Sequence, residues 1–270
     1  MSRWDKVVRA RHKAVEFHDK SAGRFAGWYD DSYDDYASSF RYGRKHINTH
    51  FRNEVRQLPR GARILDIGCG TGHQLAILCR EGFDAVGVEP SGQMRQQASR
   101  RLPPGTLVAG SVLELPFEDN TFDFVYALEV FRYLTWVDTL RGLKETYRVL
   151  QPGGTFFGTF VNLLALDFFA LLTGIRRLAE AVGGCQLRHH TDFETPGGLL
   201  RKLRMAGFRH AEVRGACLAP LRVVYRLGGT KIGSWAARLA DPLDHALTDS
   251  LSPCRALAGH LIGIGRKQVP

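Results

Sequence analysis

The run Arg63-Ile64-Leu65-Asp66-Ile67-Gly68-Cys69-Gly70-Thr71-Gly72 constrains this chain more than any other stretch. It reads as a buried strand that breaks into a glycine turn, and the amphipathic segment from His73 to Glu81 follows at once. Strand, glycine loop and helix N-terminus then meet at one point, where a ligand reaches main-chain amides with no Cβ in the way. The pattern points to a nucleotide-like cofactor.

The same alternation continues downstream. Strands are expected at 63–67, 84–89, 106–110, 122–128, 154–160, 209–214 and 258–265, with helices at 73–81, 91–101 and 137–149 and another from Pro196 to Gly207. Strands alternating with helices imply a largely parallel sheet. The turn Gln151-Pro152-Gly153-Gly154 is structural punctuation, since Pro cannot continue a helix and Gly accepts positive φ. Residues 161–194 and 215–256 read as insertions into the alternation. The segment 1–58, with Phe17, Phe25, Trp28, Tyr29, Tyr33, Tyr36, Phe40 and Tyr42 among Asp and Arg, reads as a helical N-terminal cap or lid before a domain at 59–270. Aromatics at helical spacing are more often the packed side of helices than the lining of a mobile lid.

A chain of 270 residues that is 44% hydrophobic can bury one substantial core. Lys and Arg outnumber Asp and Glu by 37 to 27, a formal net charge of +10 that suits an acidic partner or a simply solvated basic surface. Cys69, Cys79, Cys185, Cys217 and Cys254 are odd in number and form no C-x-x-C pair, which points to free thiols in a reducing compartment. Met1 to Lys6 carries no hydrophobic signal core, and no apolar run reaches the ~18 residues of a spanning helix. A cytoplasmic location is expected. The stretch Val161 to Ile175, broken by Asn162 and Asp167, reads as a buried or interfacial helix.

A G-x-G-x-x-G dinucleotide fingerprint would need glycine where His73 stands, which weakens a dehydrogenase reading. Glu89 ends the second strand and is well placed to accept from a ribose diol. Together, Leu65 to Gly72, Val88-Glu89-Pro90-Ser91, Leu115-Pro116-Phe117-Glu118-Asp119-Asn120-Thr121-Phe122-Asp123-Phe124-Val125 and Leu150 to Gly154 resemble the class I S-adenosylmethionine-dependent methyltransferases, in their small-molecule and lipid-modifying branch. The resemblance covers about residues 63–265. It implies a Rossmann-like, doubly wound α/β fold with a seven-stranded sheet, mostly parallel with an antiparallel last strand, and S-adenosyl-L-methionine as cofactor.

The resemblance also implies contacts. Asp66, Gly68 and Gly70 would face the methionine part of the cofactor, Glu89 its ribose, and Pro90 with Met94 its adenine. Ala127 and Leu128 would flank the amino-acid end with carbonyls. Where relatives carry an Asp for the adenine amino group, this chain has Ser111-Val112, a weaker hydroxyl acceptor beside a backbone amide. Relatives often carry a histidine at the place of Tyr133, so the remaining candidates for a general base are Tyr133, His189 and His190. No metal site is expected, because no third ligand joins the two histidines at a recognisable spacing.

The expected reaction is methyl transfer to an O or C atom of a small, lipophilic metabolite. The apolar stretch Val161 to Leu172 and the basic surface would also suit peripheral contact with an anionic membrane. Nucleic-acid base methylation is disfavoured: the fourth strand ends Tyr126-Ala127-Leu128-Glu129, without an Asn/Asp-Pro-Pro-aromatic tetrapeptide. RNA methylation, motivated by the +10 charge, and a catalytically silent cofactor sensor or scaffold stand as alternatives. Oligomeric state does not follow from the sequence.

Overall fold

The computed structural model describes residues 12–23, 35–181, 191–248 and 253–269. Seven strands, β1 (Arg63–Ile67), β2 (Asp84–Glu89), β3 (Leu107–Ala109), β4 (Phe122–Ala127), β5 (Leu150–Val161), β6 (His210–Ala216) and β7 (His260–Arg266), form one sheet in the order β3-β2-β1-β4-β5-β7-β6. All neighbours are parallel except β7, which runs antiparallel to both β5 and β6. The expected seven-stranded, mostly parallel sheet with an antiparallel last strand is what forms. β1 and β4 read as near-continuous apolar runs because helices cover both faces of the sheet there.

The described helices are α1 (12–23), α2 (Ser39–Val55), α3 (His73–Arg80), α4 (Gly92–Ala98), α5 (Trp136–Val149), α6 (Phe169–Ala181), α7 (Pro196–Ala206) and α8 (Leu221–Leu247). Ser38, Ser91, Thr135 and Thr195 cap α2, α4, α5 and α7, each hydroxyl accepting an amide of the first turn. Such a cap contributes about 1 kcal/mol. It also explains why α4 begins after Ser91 and not at it. α7 ends at Gly207, whose φ of 115° suits only glycine.

One face of the sheet packs Leu65, Val125 and Phe156 against Leu143 of α5 and Leu199 and Leu203 of α7. The other packs Ile64, Phe124, Tyr126 and Phe157 against Phe51 of α2 and Leu75 and Leu78 of α3. The Phe51 ring lies 4.7 Å from Tyr126 and 5.6 Å from Phe157, edge-on to both. α2 is therefore part of the core, and Phe51→Ala would cost about 3 to 5 kcal/mol.

Two local expectations are corrected. The run Gln151 to Gly154 lies inside β5: the pairing steps from Phe122↔Leu150 to Phe124↔Thr155, and the glycines absorb the bulge. Gly153 has φ 83°, and a Cβ on Gly154 would sit 2.9 Å from the Gln151 carbonyl oxygen. Next, Val161 to Ile175 is not one helix. β5 runs to Val161, the Asn162 side chain donates to the Ala256 and Ala258 carbonyls at 2.8 Å each, and α6 starts only at Phe169. Asp167 Oδ1 accepts the Phe169 amide at 3.0 Å at that start. α8, within the second insertion, is two helical pieces joined at Gly229, whose φ of 68° and ψ of −173° break the hydrogen-bond ladder. Among the described residues, no helix is long and apolar enough to cross a membrane.

Candidate active site

The glycine turn is built by three glycines with different reasons to be glycine. Gly68 (φ 68°) follows β1, and a Cβ there would lie 2.5 Å from Val130 Cγ2. Gly72 (φ 74°) packs on α4 and the turn after it, where a Cβ would lie 2.9 Å from Leu102 Cδ1. Gly70 (φ 55°) has nothing within 4 Å of that position, so its open side faces a cavity of about 480 Å³. Its amide donates to Glu89 Oε2 at 3.0 Å, and the Ser91 amide donates to Oε1 at 2.8 Å. Burial pushes the Glu89 carboxyl up while these two amides pull it down. Each oxygen keeps a second acceptor site toward the cavity.

Asp66 sits on β1 beneath the turn and is pushed up to about 7 by burial, with Glu89 adding to the push and the Tyr126 phenol and Arg44 opposing it. Asp66, Gly68, Gly70, Glu89, Pro90, Met94, Ser111, Val112 and Leu128 all border the cavity. Ala127 does not: it still pairs with Gly158 in the sheet and its side chain is in the core. Ser111 Oγ already accepts the Leu113 amide at 3.3 Å, and Gly110 before it lets Val88 and Pro116 pack closely.

The opposite wall comes from the N-terminal helices and the loop after β4. α1 contributes Phe17 and His18, α2 contributes Phe40 and Arg44, and the loop contributes Glu129, Arg132 and Tyr133. The His18 ring packs edge-on to Tyr133 with centroids 4.8 Å apart, and its Nδ1 lies 2.7 Å from the Ala14 carbonyl oxygen. That pairing fixes the proton on Nδ1 and leaves the lone pair on Nε2. Burial lowers the His18 pKa, which keeps the imidazole neutral at pH 7. Asp19, one residue on, accepts Ser91 Oγ at 2.5 Å and the Gln93 amide at 3.2 Å, tying α1 to the start of α4.

Glu129 has φ 63°, in the left-handed region that costs a non-glycine residue about 1 kcal/mol or more. Its Oε2 accepts Arg132 at 2.6 Å, its Oε1 accepts Thr159 Oγ1 at 3.3 Å, and His260 Nε2 lies 3.4 Å from Oε1. Burial pushes this carboxyl up, but His260 and Arg132 outweigh it and hold it well below the usual carboxylate range.

Tyr133 thus borders the cavity, while His189 and His190 lie outside the described residues. The expected aromatic packing holds for Tyr42, which is buried, whereas Phe17 and Phe40 face the cavity. His18, Arg44 and Arg132 are the residues that the sequence did not single out. Their only signal there was position within charged, aromatic segments. Among the described residues, no group of three or more His, Cys, Asp or Glu could hold a metal ion. Cys69, Cys79 and Cys217 are free thiols.

A family model described as a methyltransferase domain matches residues 65–158, and one for protein-L-isoaspartate(D-aspartate) O-methyltransferase matches residues 13–110. The chain is 31% identical to the ubiquinone biosynthesis O-methyltransferase of Azorhizobium caulinodans, over 66% of this chain and 72% of that protein. It is 38% identical to an uncharacterized methyltransferase of Mycobacterium tuberculosis over 47% of this chain and 49% of that one, so it spans about half the length of several curated relatives. Others are demethylmenaquinone methyltransferases. In fold it is similar to an S-adenosylmethionine-dependent methyltransferase of Thermotoga maritima, with a TM-score of 0.58 and 20% identity over 94% of this chain and 99% of that one. The chain belongs to the class I S-adenosylmethionine-dependent methyltransferases, in their small-molecule branch.

The site fits that family's cofactor. Two buried carboxylates stand at the ends of β1 and β2, Gly70 opens onto the cavity without a Cβ, and Met94 and Val112 supply apolar surface. A cationic ammonium, a diol and an aromatic base need those three kinds of neighbour.

Proposed function

We propose that this protein transfers the methyl group of S-adenosylmethionine to an oxygen or carbon atom of a small, lipophilic molecule. The observation that carries the reading is the continuity of one cavity, from Gly70 and Glu89 to a largely apolar wall of Phe17, Phe40, Val130 and Leu134. Relatives named for ubiquinone and menaquinone biosynthesis support an acceptor of that character.

When bound, the cofactor supplies a methyl group activated by a positive sulfur. Asp66, Gly68, Gly70 and Glu89 would hold its polar parts, and Pro90, Met94, Ser111 and Val112 its base. The chain's own contribution is alignment: the apolar wall sets the acceptor in line and excludes water. Where the acceptor must lose a proton, His18 Nε2, beside Tyr133, is the base that the wall offers. Residues 1–58 would then act as the acceptor-side cap of the domain at 59–270. Peripheral contact with an anionic membrane belongs to the same reading, since a lipophilic acceptor partitions into lipid.

Calorimetry with S-adenosylhomocysteine, followed by transfer of labelled methyl to a panel of hydroxylated quinols and phenols, tests the proposal. Binding together with labelled, organic-extractable product is expected. No binding of S-adenosylhomocysteine, or binding without transfer to any member of the panel, would count against it.

A further inference from the structure

The second piece of α8, residues 230–247, packs Ala237 inward beside Tyr42 and presents the opposite side to solvent. That side carries Ile232, Trp235, Leu239 and Leu243, spaced three, four and four residues apart on one helical face. Trp235 is 65% exposed and Leu243 62%. An indole and three aliphatic side chains in one solvent-facing row are not explained by chance scatter of surface apolar residues.

Within residues 230–247, the exposed charged residues are of one sign. Lys231 and Arg238 are exposed beside the row, the Arg238 guanidinium 5.2 Å from the centre of the Tyr36 ring. Both carboxylates of the segment turn the other way. Asp241 takes Lys45 at 2.7 Å and the Tyr36 hydroxyl at 3.1 Å, and Asp244 takes the Tyr42 hydroxyl at 2.7 Å and the Ala219 amide at 2.9 Å. Among the described residues of this segment, the outward side is therefore apolar and flanked by cations, with both carboxylates on the other side. α6 repeats the composition, with Leu171, Ile175 and Leu178 exposed and Arg176 and Arg177 between them.

We infer that the outward face of residues 230–247 docks on the surface of an anionic phospholipid bilayer, lying in the interface with Trp235, Leu239 and Leu243 among the acyl chains and Lys231 and Arg238 at the headgroups. The charge arrangement selects this occupant. A second copy of the chain on the same two-fold face would set Lys231 and Arg238 against the like cations of its partner, since both carboxylates of this segment face inward. A bilayer with anionic headgroups meets both the apolar row and its flanking charge. α8 packs on α2 through Tyr42 and Lys45, and α2 carries Phe40 and Arg44 on the cavity wall. The docked face is thus one helix away from the chamber. The inference rests on the lipophilic-acceptor reading for its purpose and on the α8 face for its geometry.

The test is flotation of the full chain with phosphatidylcholine vesicles containing about one third phosphatidylglycerol, against pure phosphatidylcholine. The wild type should float with the anionic vesicles. Trp235→Ser with Leu239→Ser and Leu243→Ser should lower partitioning roughly tenfold or more, and Lys231→Glu with Arg238→Glu should abolish the preference for anionic lipid. Quenching of tryptophan fluorescence by brominated lipid should disappear in Trp235→Phe. The inference is overturned by a wild type that does not float, by a serine variant that floats as the wild type does, or by sedimentation showing that the serine variant only turns a dimer into a monomer. S-adenosylhomocysteine calorimetry runs beside it: retained binding in the serine variant shows an intact fold. Absent binding in a wild type that floats would count against the methyltransferase reading and leave the docking face standing.

Discussion

Glu89 Oε2 accepts the Gly70 amide at 3.0 Å, a side-chain hydrogen bond that joins the end of β2 to the turn after β1 beside the Gly68 amide on the Val88 carbonyl at 2.7 Å. Removing the carboxylate loses that bond, the bond to the Ser91 amide and the acceptor for a diol. Glu89→Ala is expected to weaken S-adenosylhomocysteine binding by roughly 1.5 to 3 kcal/mol, read by titration calorimetry.

Gly70→Arg separates folding from binding. The Cβ meets nothing within 4 Å, so the side chain has room, at the cost of a left-handed conformation. The guanidinium then fills the cavity. Thermal unfolding should shift only modestly while S-adenosylhomocysteine binding vanishes; binding retained in this variant would place the cofactor elsewhere.

Asp66 makes stability fall as pH rises. An unfolded aspartate titrates near 4, whereas the folded carboxyl is pushed up to about 7 by burial. Between these values the folded chain holds a proton that the unfolded chain has released, and the penalty reaches at most about 4 kcal/mol above pH 7. Asp66→Asn should flatten this slope in urea denaturation between about pH 4 and 7. Binding a cationic ammonium should release the Asp66 proton near pH 6, visible as a buffer-dependent calorimetric enthalpy in the wild type and missing in the variant.

Glu129 has the opposite sign. Its carboxyl is held well below the usual range by His260 and Arg132 against the upward push of burial, so it stabilises the fold above about pH 4 and loses that contribution as pH falls further. Glu129→Gln leaves Arg132 without its partner and should cost roughly 3 kcal/mol at pH 7 by urea denaturation. The difference from wild type should shrink in acid.

His18→Gln should lower kcat by about 10²- to 10⁴-fold on an acceptor that must lose a proton and should remove the acidic limb of the pH–rate profile. Affinity for S-adenosylhomocysteine should stay near wild type. An unchanged profile would assign the proton transfer to another group.

The sheet was legible because it is written locally. β1, β2 and the Pro196–Gly207 helix were readable from apolar runs bounded by Gly, Pro and capping residues, each acting on its own neighbours. The half of the cavity that Gly70 and Glu89 border was legible for the same reason, since both mark strand ends. The other half was not. His18 reaches Tyr133 across more than a hundred residues of sequence, and only tertiary packing brings them together. Ala127 pairs with Gly158 at the end of β4, and a strand's last pairing depends on its partner and not on its own composition. Leu150 to Gly154 reads as a turn locally and is held in the sheet by β4 and by Lys267, which exchanges backbone bonds with Gly153 and Gly154 at 2.9 Å.

The latch between Asp19 and Ser91 has an evolutionary consequence. Among the described residues, every strand lies between Arg63 and Arg266, so the sheet and the glycine turn are built without α1. Yet α1 supplies part of the wall that would meet the methyl acceptor, fastened by one carboxylate to the edge of the cofactor trough. Under the proposed reading, acceptor choice can drift by substitution in residues 12–23 other than Asp19 while the glycine turn and Glu89 stay constant.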